Sequence, residues 1–96
     1  MDFEVYYHPE TKDDLKSIPQ NIKSRLKEAI INRLVSAPNM YGKPLRGNLK
    51  NVWSLRVGDY RVVYLLREKK VVILQVVHRK DAYDAGVIES RRLGIL

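Results

Sequence analysis

The stretch "WSLRVGDYRVVY", from Trp53 to Tyr64, decides the fold. Two runs rich in β-branched and aromatic residues flank Gly58 and Asp59, and a two-residue loop that begins with glycine favours a type II′ hairpin. Such a hairpin sets Arg56 directly across from Arg61. Like charges in opposite positions destabilise a sheet by up to about 1 kcal/mol. We therefore interpret this arginine pair as an anion-binding site, in which the anion relieves the repulsion between the two charges. Local rules of strand pairing tend to fail at functional positions.

The same register divides the hairpin into two faces, because successive side chains of a strand point to opposite sides. One is apolar and aromatic, and we expect the helices to pack on it. The other, the arginine face, is expected to be exposed or concave. The apolar face comprises Trp53, Leu55, Val57, Tyr60, Val62, Tyr64 and Leu66. The arginine face comprises Val52, Ser54, Arg56, Arg61, Val63 and Leu65.

The rest of the chain predicts one α+β domain over residues 1–96. The expected order is an N-terminal strand over Phe3–Tyr7, two helices, a three-stranded antiparallel meander, and a short C-terminal tail or helix. The first helix follows Pro9 and the second lies between Pro19 and Pro38. The predicted strands of the meander are Val52–Val57, Tyr60–Arg67 and Val71–Arg79.

The second helix has an apolar face, because apolar residues recur at three- and four-residue steps from Ile22 to Ala37. Charged residues off that face, Arg33 among them, are expected to be solvated and nothing more. The following segment, residues 39–51, is predicted to be a loop, with Met40 and Leu45 tucked into the core.

Composition narrows the function. The 96 residues carry a net charge of +7, and there is no cysteine, which excludes a disulfide framework and a thiolate metal site. The cationic excess lies after residue 30, and a concentrated basic region suggests a polyanionic partner such as nucleic acid. No apolar run approaches the roughly 18 residues that span a membrane. The acidic N-terminus is unlike a signal peptide, so a cytoplasmic location and no membrane partner are expected.

Two further groups of cations surround the arginine pair. The last predicted strand ends in "HRKDAY", which delivers His78, Arg79, Lys80 and Tyr83 to one end of the sheet. A two-residue turn at Glu68 and Lys69 would place His78 on the arginine face, whereas a three-residue turn would place Arg79 there. The sequence leaves both open. The loop adds Lys43, Arg46 and Lys50, leads into the opposite strand and is expected to cover the same face.

These residues resemble a known family. The segment "KPLRGNLKNVWSLRVGDYRVVYLLREKKVVILQVVHRKDAY" is similar to the RelE/ParE toxin superfamily, specifically its RelE branch, and "HPETKDDLKSIP" also fits. The resemblance implies a toxin of a type II toxin–antitoxin module that cleaves mRNA in the ribosomal A site by 2′-OH attack. It implies a RelB-like antitoxin, contact with operator DNA only through the antitoxin complex, and no cofactor or metal.

The resemblance also assigns roles to particular residues. The arginine of the "YR" motif falls on Arg61, the strand-end arginine on Arg79, and the tyrosine beyond it on Tyr83. Val52 and Ser54 stand where the best-known bacterial member has two lysines, so its general base is missing here.

The expected catalytic set is therefore Arg56, Arg61, Arg79, Tyr83 and, as a candidate acid, His78. Arg56 and Arg61 would hold the scissile phosphate, because a guanidinium is a poor base, and Arg79 would assist or contact the adjacent phosphate. Tyr83 would stack on a base or orient the 2′-OH. The expected RNA contacts are Lys43, Arg46, Lys50, Ser54 and Lys80.

Two alternatives stay open at this point. One is a ParE-like inhibitor of DNA gyrase without RNase chemistry. The other is a catalytically weak family member that acts mainly through binding an antitoxin and DNA, which the missing lysines allow.

Overall fold

The computed structural model describes residues 2–45, 50–81 and 84–94. The strands are β1 (Glu4–Tyr7), β2 (Lys43–Pro44), β3 (Val52–Val57), β4 (Tyr60–Arg67) and β5 (Lys70–His78). The helices are α1 (Thr11–Leu15), α2 (Gln20–Ala29), α3 (Pro38–Tyr41) and α4 (Ala85–Leu93), and α2 continues as a π-helical segment over Ile30–Leu34. Within the described ranges, no helix is both long and apolar enough to cross a membrane.

The strands form one sheet in the order β1-β5-β4-β3-β2. The meander β3–β4–β5 is antiparallel, and Arg56 pairs with Arg61 as predicted. Gly58 has a φ of +58°, the positive value that a type II′ turn requires at its first central position. The N-terminal strand β1 adds a parallel edge to the predicted antiparallel meander, because it pairs parallel with β5. A parallel pair needs a long crossover, and the helices with β2–β4 provide it.

The main core lies between the apolar face and the helices, as predicted. The side chains of α2 and the π-helical segment pack on Leu55, Val62 and Tyr64, and Leu34 at the end of that segment is fully buried. Burying such side chains contributes about 1.5–3 kcal/mol each. This core fixes the sheet and leaves the opposite face to be covered separately.

The arginine face is not exposed along its whole length, which corrects the prediction. The predicted tail or helix is α4, and Asp84 caps its start by accepting from the N–H groups of Gly86 and Val87. The fully buried Ile88 of α4 joins a second core with residues of the arginine face. That core comprises Val52, Val63, Leu65, Leu74 and Ile88. The arginine face is thus apolar and covered at one end, and cationic at the other.

A network of polar contacts holds α4 against the sheet. Arg91 donates two hydrogen bonds to the Asp14 carboxylate, at 2.8 and 3.2 Å, and one to the Leu74 carbonyl at 2.8 Å. Asp14 also accepts from the N–H of Val76 at 3.0 Å. These contacts satisfy backbone groups of β5 beyond the end of β1, and the Asp14 hydrogen bonds raise the pKa of Arg91. One partly buried ion pair therefore joins α1, β5 and α4.

The loop predicted over residues 39–51 contains regular structure, which is a second correction. Residues up to Tyr41 form α3, and β2 pairs with β3 through Lys43 opposite Ser54. Pro38, expected to end a helix, occupies the first turn of α3, where its missing N–H costs nothing. Met40 is 81% exposed, so the expectation that it enters the core is wrong, whereas Leu45 packs against the second core.

Tyr64 anchors α3. Its fully buried side chain donates a 2.6 Å hydrogen bond to the Pro38 carbonyl, and burial raises the pKa of its phenol, so the hydroxyl stays a donor. Gly42 lies directly over this hydroxyl, and a Cβ on Gly42 would overlap it and approach the Ser54 carbonyl to 3.1 Å. Glycine is needed here for close approach.

Gly42→Ala is expected to lower the free energy of unfolding by about 1–3 kcal/mol, because the added methyl group overpacks a rigid contact. Urea unfolding monitored by circular dichroism would measure it. Gly94→Ala is the matched control, since a Cβ there meets no atom closer than 3.5 Å. Equal urea midpoints for the two variants would show that the close contact between Gly42 and Tyr64 does not stabilise the fold.

Candidate functional site

The hairpin presents two arginines without a neutralising partner. Arg56 is exposed and Arg61 half-buried on the same face of directly paired positions. The Arg56 Nε donates a long 3.4 Å hydrogen bond to the Gly58 carbonyl. Among the residues that the structure describes, neither guanidinium forms an ion pair with a carboxylate. The predicted repulsion between the two arginines is therefore not neutralised by the described residues.

Arg79 joins the arginine face through a β-bulge. The turn at Glu68 and Lys69 has two residues, which alone would have placed His78 there. An extra residue in β5, Leu74, shifts the register, so that Arg61 pairs with Val77 and the alternation continues to Arg79. The Arg79 guanidinium lies 3.4 Å from the Asp59 carboxylate. The backbone N–H of Arg79 donates a hydrogen bond to the backbone carbonyl of Asp59 at 2.7 Å. Neither open alternative anticipated this route.

His78 lies on the other face, which corrects the expectation that it serves beside the arginine pair. It pairs with Tyr60, and the two rings meet edge to face at 5.0 Å between centroids. Its Nδ1 accepts a 3.0 Å hydrogen bond from the N–H of Lys80. These contacts explain His78 as a packed strand-end residue.

A groove with a volume of about 450 Å³ runs along the cationic end of the arginine face. Lys43 reaches it from β2, because its position opposite Ser54 puts both side chains on the arginine face. Arg33 reaches it from the π-helical segment, a type of turn that is frequent at functional sites. The groove is lined by Arg33, Tyr41, Lys43, Pro44, Leu45, Ser54, Leu55, Arg56 and Arg61.

The groove unites some predicted residues and omits others. Arg56, Arg61, Lys43 and Ser54 line it. Arg79, Lys80 and Lys50 are exposed but do not line it, and Arg46 and Tyr83 lie outside the described residues.

Sequence reasoning missed Arg33 and Tyr41. The helical pattern indicates only a solvated charge at Arg33, and the sole signal for a further role is its place near the end of a long helix. Tyr41 falls in a predicted loop without an assigned role, although "PNMYG" places an aromatic residue between two breakers.

The chemistry of the groove suits an anion. The described residues that line it include four cationic side chains and no carboxylate. Guanidinium groups bind phosphate through paired N–H donors, and lysine adds a point charge. The described residues contain no cluster of three or more histidine, aspartate or glutamate side chains that could hold a metal ion.

Comparison with known proteins gives a family match over most of the chain. The model for the ParE toxin of the type II toxin–antitoxin system parDE matches residues 5–83. Toxin RelE of Mycobacterium tuberculosis is 36% identical over 80 residues, covering 81% of this chain and 82% of the relative. Toxin RelG of the same organism is 35% identical over 85 residues, covering 86% and 98%.

Solved structures give the same result. The toxin–antitoxin complex RelBE2 of M. tuberculosis contains a chain with a TM-score of 0.77 and 34% identity, covering 84% of this chain and 95% of that one. A mutant of E. coli toxin RelE in the free state shares the fold, with a TM-score of 0.73 at 19% identity and full coverage of both chains.

The class is therefore a toxin of a type II toxin–antitoxin system. Within that class, the chain belongs to the RelE/ParE toxin family, and the relatives described above are Rel toxins.

Proposed function

We propose that this toxin is a ribosome-dependent endoribonuclease that cleaves mRNA in the A site and thereby inhibits translation. The observation that carries the proposal is the Arg56–Arg61 pair, held in register within a groove whose described lining has no carboxylate. Such a pair suits a phosphate group, because each added anionic oxygen relieves the repulsion between the guanidinium groups.

In the proposed reaction a ribose 2′-oxygen attacks the adjacent phosphorus. The O2′–P bond forms as the P–O5′ bond breaks, which leaves a 2′,3′-cyclic phosphate and a 5′-hydroxyl. Arg61 and Arg56 stabilise the charge that grows on the non-bridging oxygens, and such preorganised donors are usually the largest contribution in sites of this kind. The arginines stay charged and do not abstract the 2′-OH proton, so in the proposal water accepts that proton and supplies the one that the departing 5′-oxygen gains.

The remaining expected residues keep narrower roles in the proposal. Arg79 contacts a neighbouring phosphate when it exchanges its exposed Asp59 partner for RNA. Tyr83 retains its proposed stacking role. His78 is left out, because its ring packs on Tyr60 on the opposite face. No lysine stands at Val52 or Ser54, so a modest rate is expected.

We also propose that a RelB-like antitoxin neutralises the toxin. Support comes from relatives solved as RelB–RelE pairs, including one from Methanococcus jannaschii at 27% identity and a TM-score of 0.61. An acidic segment of an antitoxin would complement the groove. A second candidate, inhibition of DNA gyrase, is favoured by the ParE description of the matching family model.

Cleavage mapping tests the proposed function directly. Purified toxin added to a translating extract is expected to cut mRNA at ribosome-occupied codons and to leave cyclic phosphate ends, because attack by the 2′-oxygen produces such ends. Free mRNA without ribosomes is the control. A supercoiling assay with purified gyrase accompanies it, and inhibition of gyrase without RNA cleavage would contradict the proposal in favour of the second candidate.

A further inference from the structure

We propose that the Tyr41 side of the groove is a nucleobase subsite, in which one unpaired base of single-stranded RNA stacks on the Tyr41 ring. This inference rests on the proposed function and adds the way in which the substrate is recognised. It concerns a residue that lines the same groove as the arginine pair but is not among the toxin's expected catalytic residues.

Tyr41 is an aromatic residue that stays largely exposed to solvent. Its side chain is 55% exposed at the end of α3, although the core lies close by. The same short helix ends at Gly42, which is pressed against the buried Tyr64, and the Tyr64 hydroxyl holds the Pro38 carbonyl. The backbone beneath the ring is thus held rigidly while the ring itself faces the groove. A preorganised aromatic surface loses little entropy when a ligand stacks on it.

Positive charge flanks this ring. Arg33 and Lys43 line the groove together with Tyr41, and the arginine pair completes it. Lys43 is two residues from Tyr41 along the chain and is fixed by its pairing with Ser54. An aromatic platform beside a cationic track is the usual arrangement for unpaired nucleic acid, where bases stack and phosphates follow the charges.

The shape of the groove also fits a nucleotide. One part of its lining is cationic, and another part is apolar or aromatic, formed by Tyr41, Pro44 and Leu45. Its volume of about 450 Å³ lies within the roughly 300–1,000 Å³ of ordinary ligand sites. The Asp and Glu side chains of an acidic peptide would use the cations but offer no aromatic ring to stack on Tyr41, so the combination favours RNA.

The test measures binding rather than cleavage. The probe is a fluorescein-labelled six-nucleotide RNA with 2′-O-methyl groups throughout, which blocks the attacking hydroxyl, and fluorescence anisotropy gives its Kd. Tyr41→Ala is expected to weaken binding about 10- to 100-fold, because stacking on one base is lost. Tyr41→Phe is expected to stay within about twofold of the parent chain, since the phenyl ring still stacks.

Two controls separate stacking from charge and from folding. Met40→Ala removes the neighbouring, more exposed side chain of α3, which does not line the groove, and should leave the Kd unchanged. A set of probes with one abasic position each should include one that binds the parent chain and Tyr41→Ala equally, which identifies the stacked nucleotide.

Several results would overturn the subsite. They are equal binding by Tyr41→Ala and the parent chain, no binding of the probe by the parent chain, and Tyr41-dependent binding of poly-glutamate without binding of RNA. Failure of the proposed function gives a different pattern, in which Tyr41-dependent RNA binding occurs but ribosome-bound mRNA stays intact.

Discussion

Arg61→Ala is expected to reduce the rate of ribosome-dependent mRNA cleavage by about two to three orders of magnitude. The change removes one of two positioned donors at the phosphate, and losing one such donor typically costs about 10²- to 10³-fold. The fold should not suffer, because the substitution removes a like-charge contact across the hairpin. Cleavage kinetics in a translating extract would measure the first effect, and thermal unfolding the second.

Arg67→Ala provides the matched control for Arg61→Ala. Arg67 lies on the same strand and the same side of the sheet but outside the groove, at the far end of β4. It removes the same charge, so it should leave cleavage within about twofold if position rather than net charge matters. Equal losses in the two variants would reduce the role of Arg61 to general attraction of RNA.

Asp14→Ala is expected to lower the free energy of unfolding by about 3 kcal/mol. The carboxylate and its Arg91 partner are 14% and 11% exposed, and without Asp14 the largely buried guanidinium keeps only a 3.8 Å contact with the exposed Glu10 carboxylate and its hydrogen bond to the Leu74 carbonyl. The N–H of Val76 also loses its acceptor. Chemical denaturation would measure the change, which is a large fraction of the roughly 5–15 kcal/mol that stabilises a domain.

Asp13→Ala is the control for Asp14→Ala because it lies on the same helix and removes the same charge. Its ion pair with Lys16 is open to solvent, with side chains 69% and 77% exposed, and such pairs contribute little. Asp14→Leu combined with Arg91→Met should recover much of the stability that Asp14→Ala loses. If Asp13→Ala were as damaging as Asp14→Ala, burial of the pair would not be the cause.

The hairpin was predictable because two independent signals agree. Gly58 marks a two-residue turn, and alternation on both sides of it fixes which residues share a face. The register from Trp53 to Tyr64 followed from these alone. The expectation for the groove came partly from the same register, since Arg56 and Arg61 lie in that stretch.

The features that could not be predicted from the sequence depend on contacts between residues that are far apart along the chain. Nothing near Lys43 indicates a strand, because Pro44 and Gly42 are typical breakers, and only β3 supplies the pairing. Arg33 reaches the groove from a π-helical segment, which the ordinary apolar spacing of this helix does not predict. The covering of the arginine face by α4 depends on Arg91 meeting Asp14, 77 positions earlier.

The bulge at Leu74 reverses the alternation of side chains partway along β5. Odd-numbered residues before the bulge face one side of the sheet, and odd-numbered residues after it face the other side. The face of the "HRK" triplet therefore cannot be inferred by counting from the turn. Shortening β5 by this one residue would keep every side chain of the triplet and yet exchange the faces of His78 and Arg79. In comparisons among relatives, the length of this strand therefore carries information about the arginine face that residue identity alone does not.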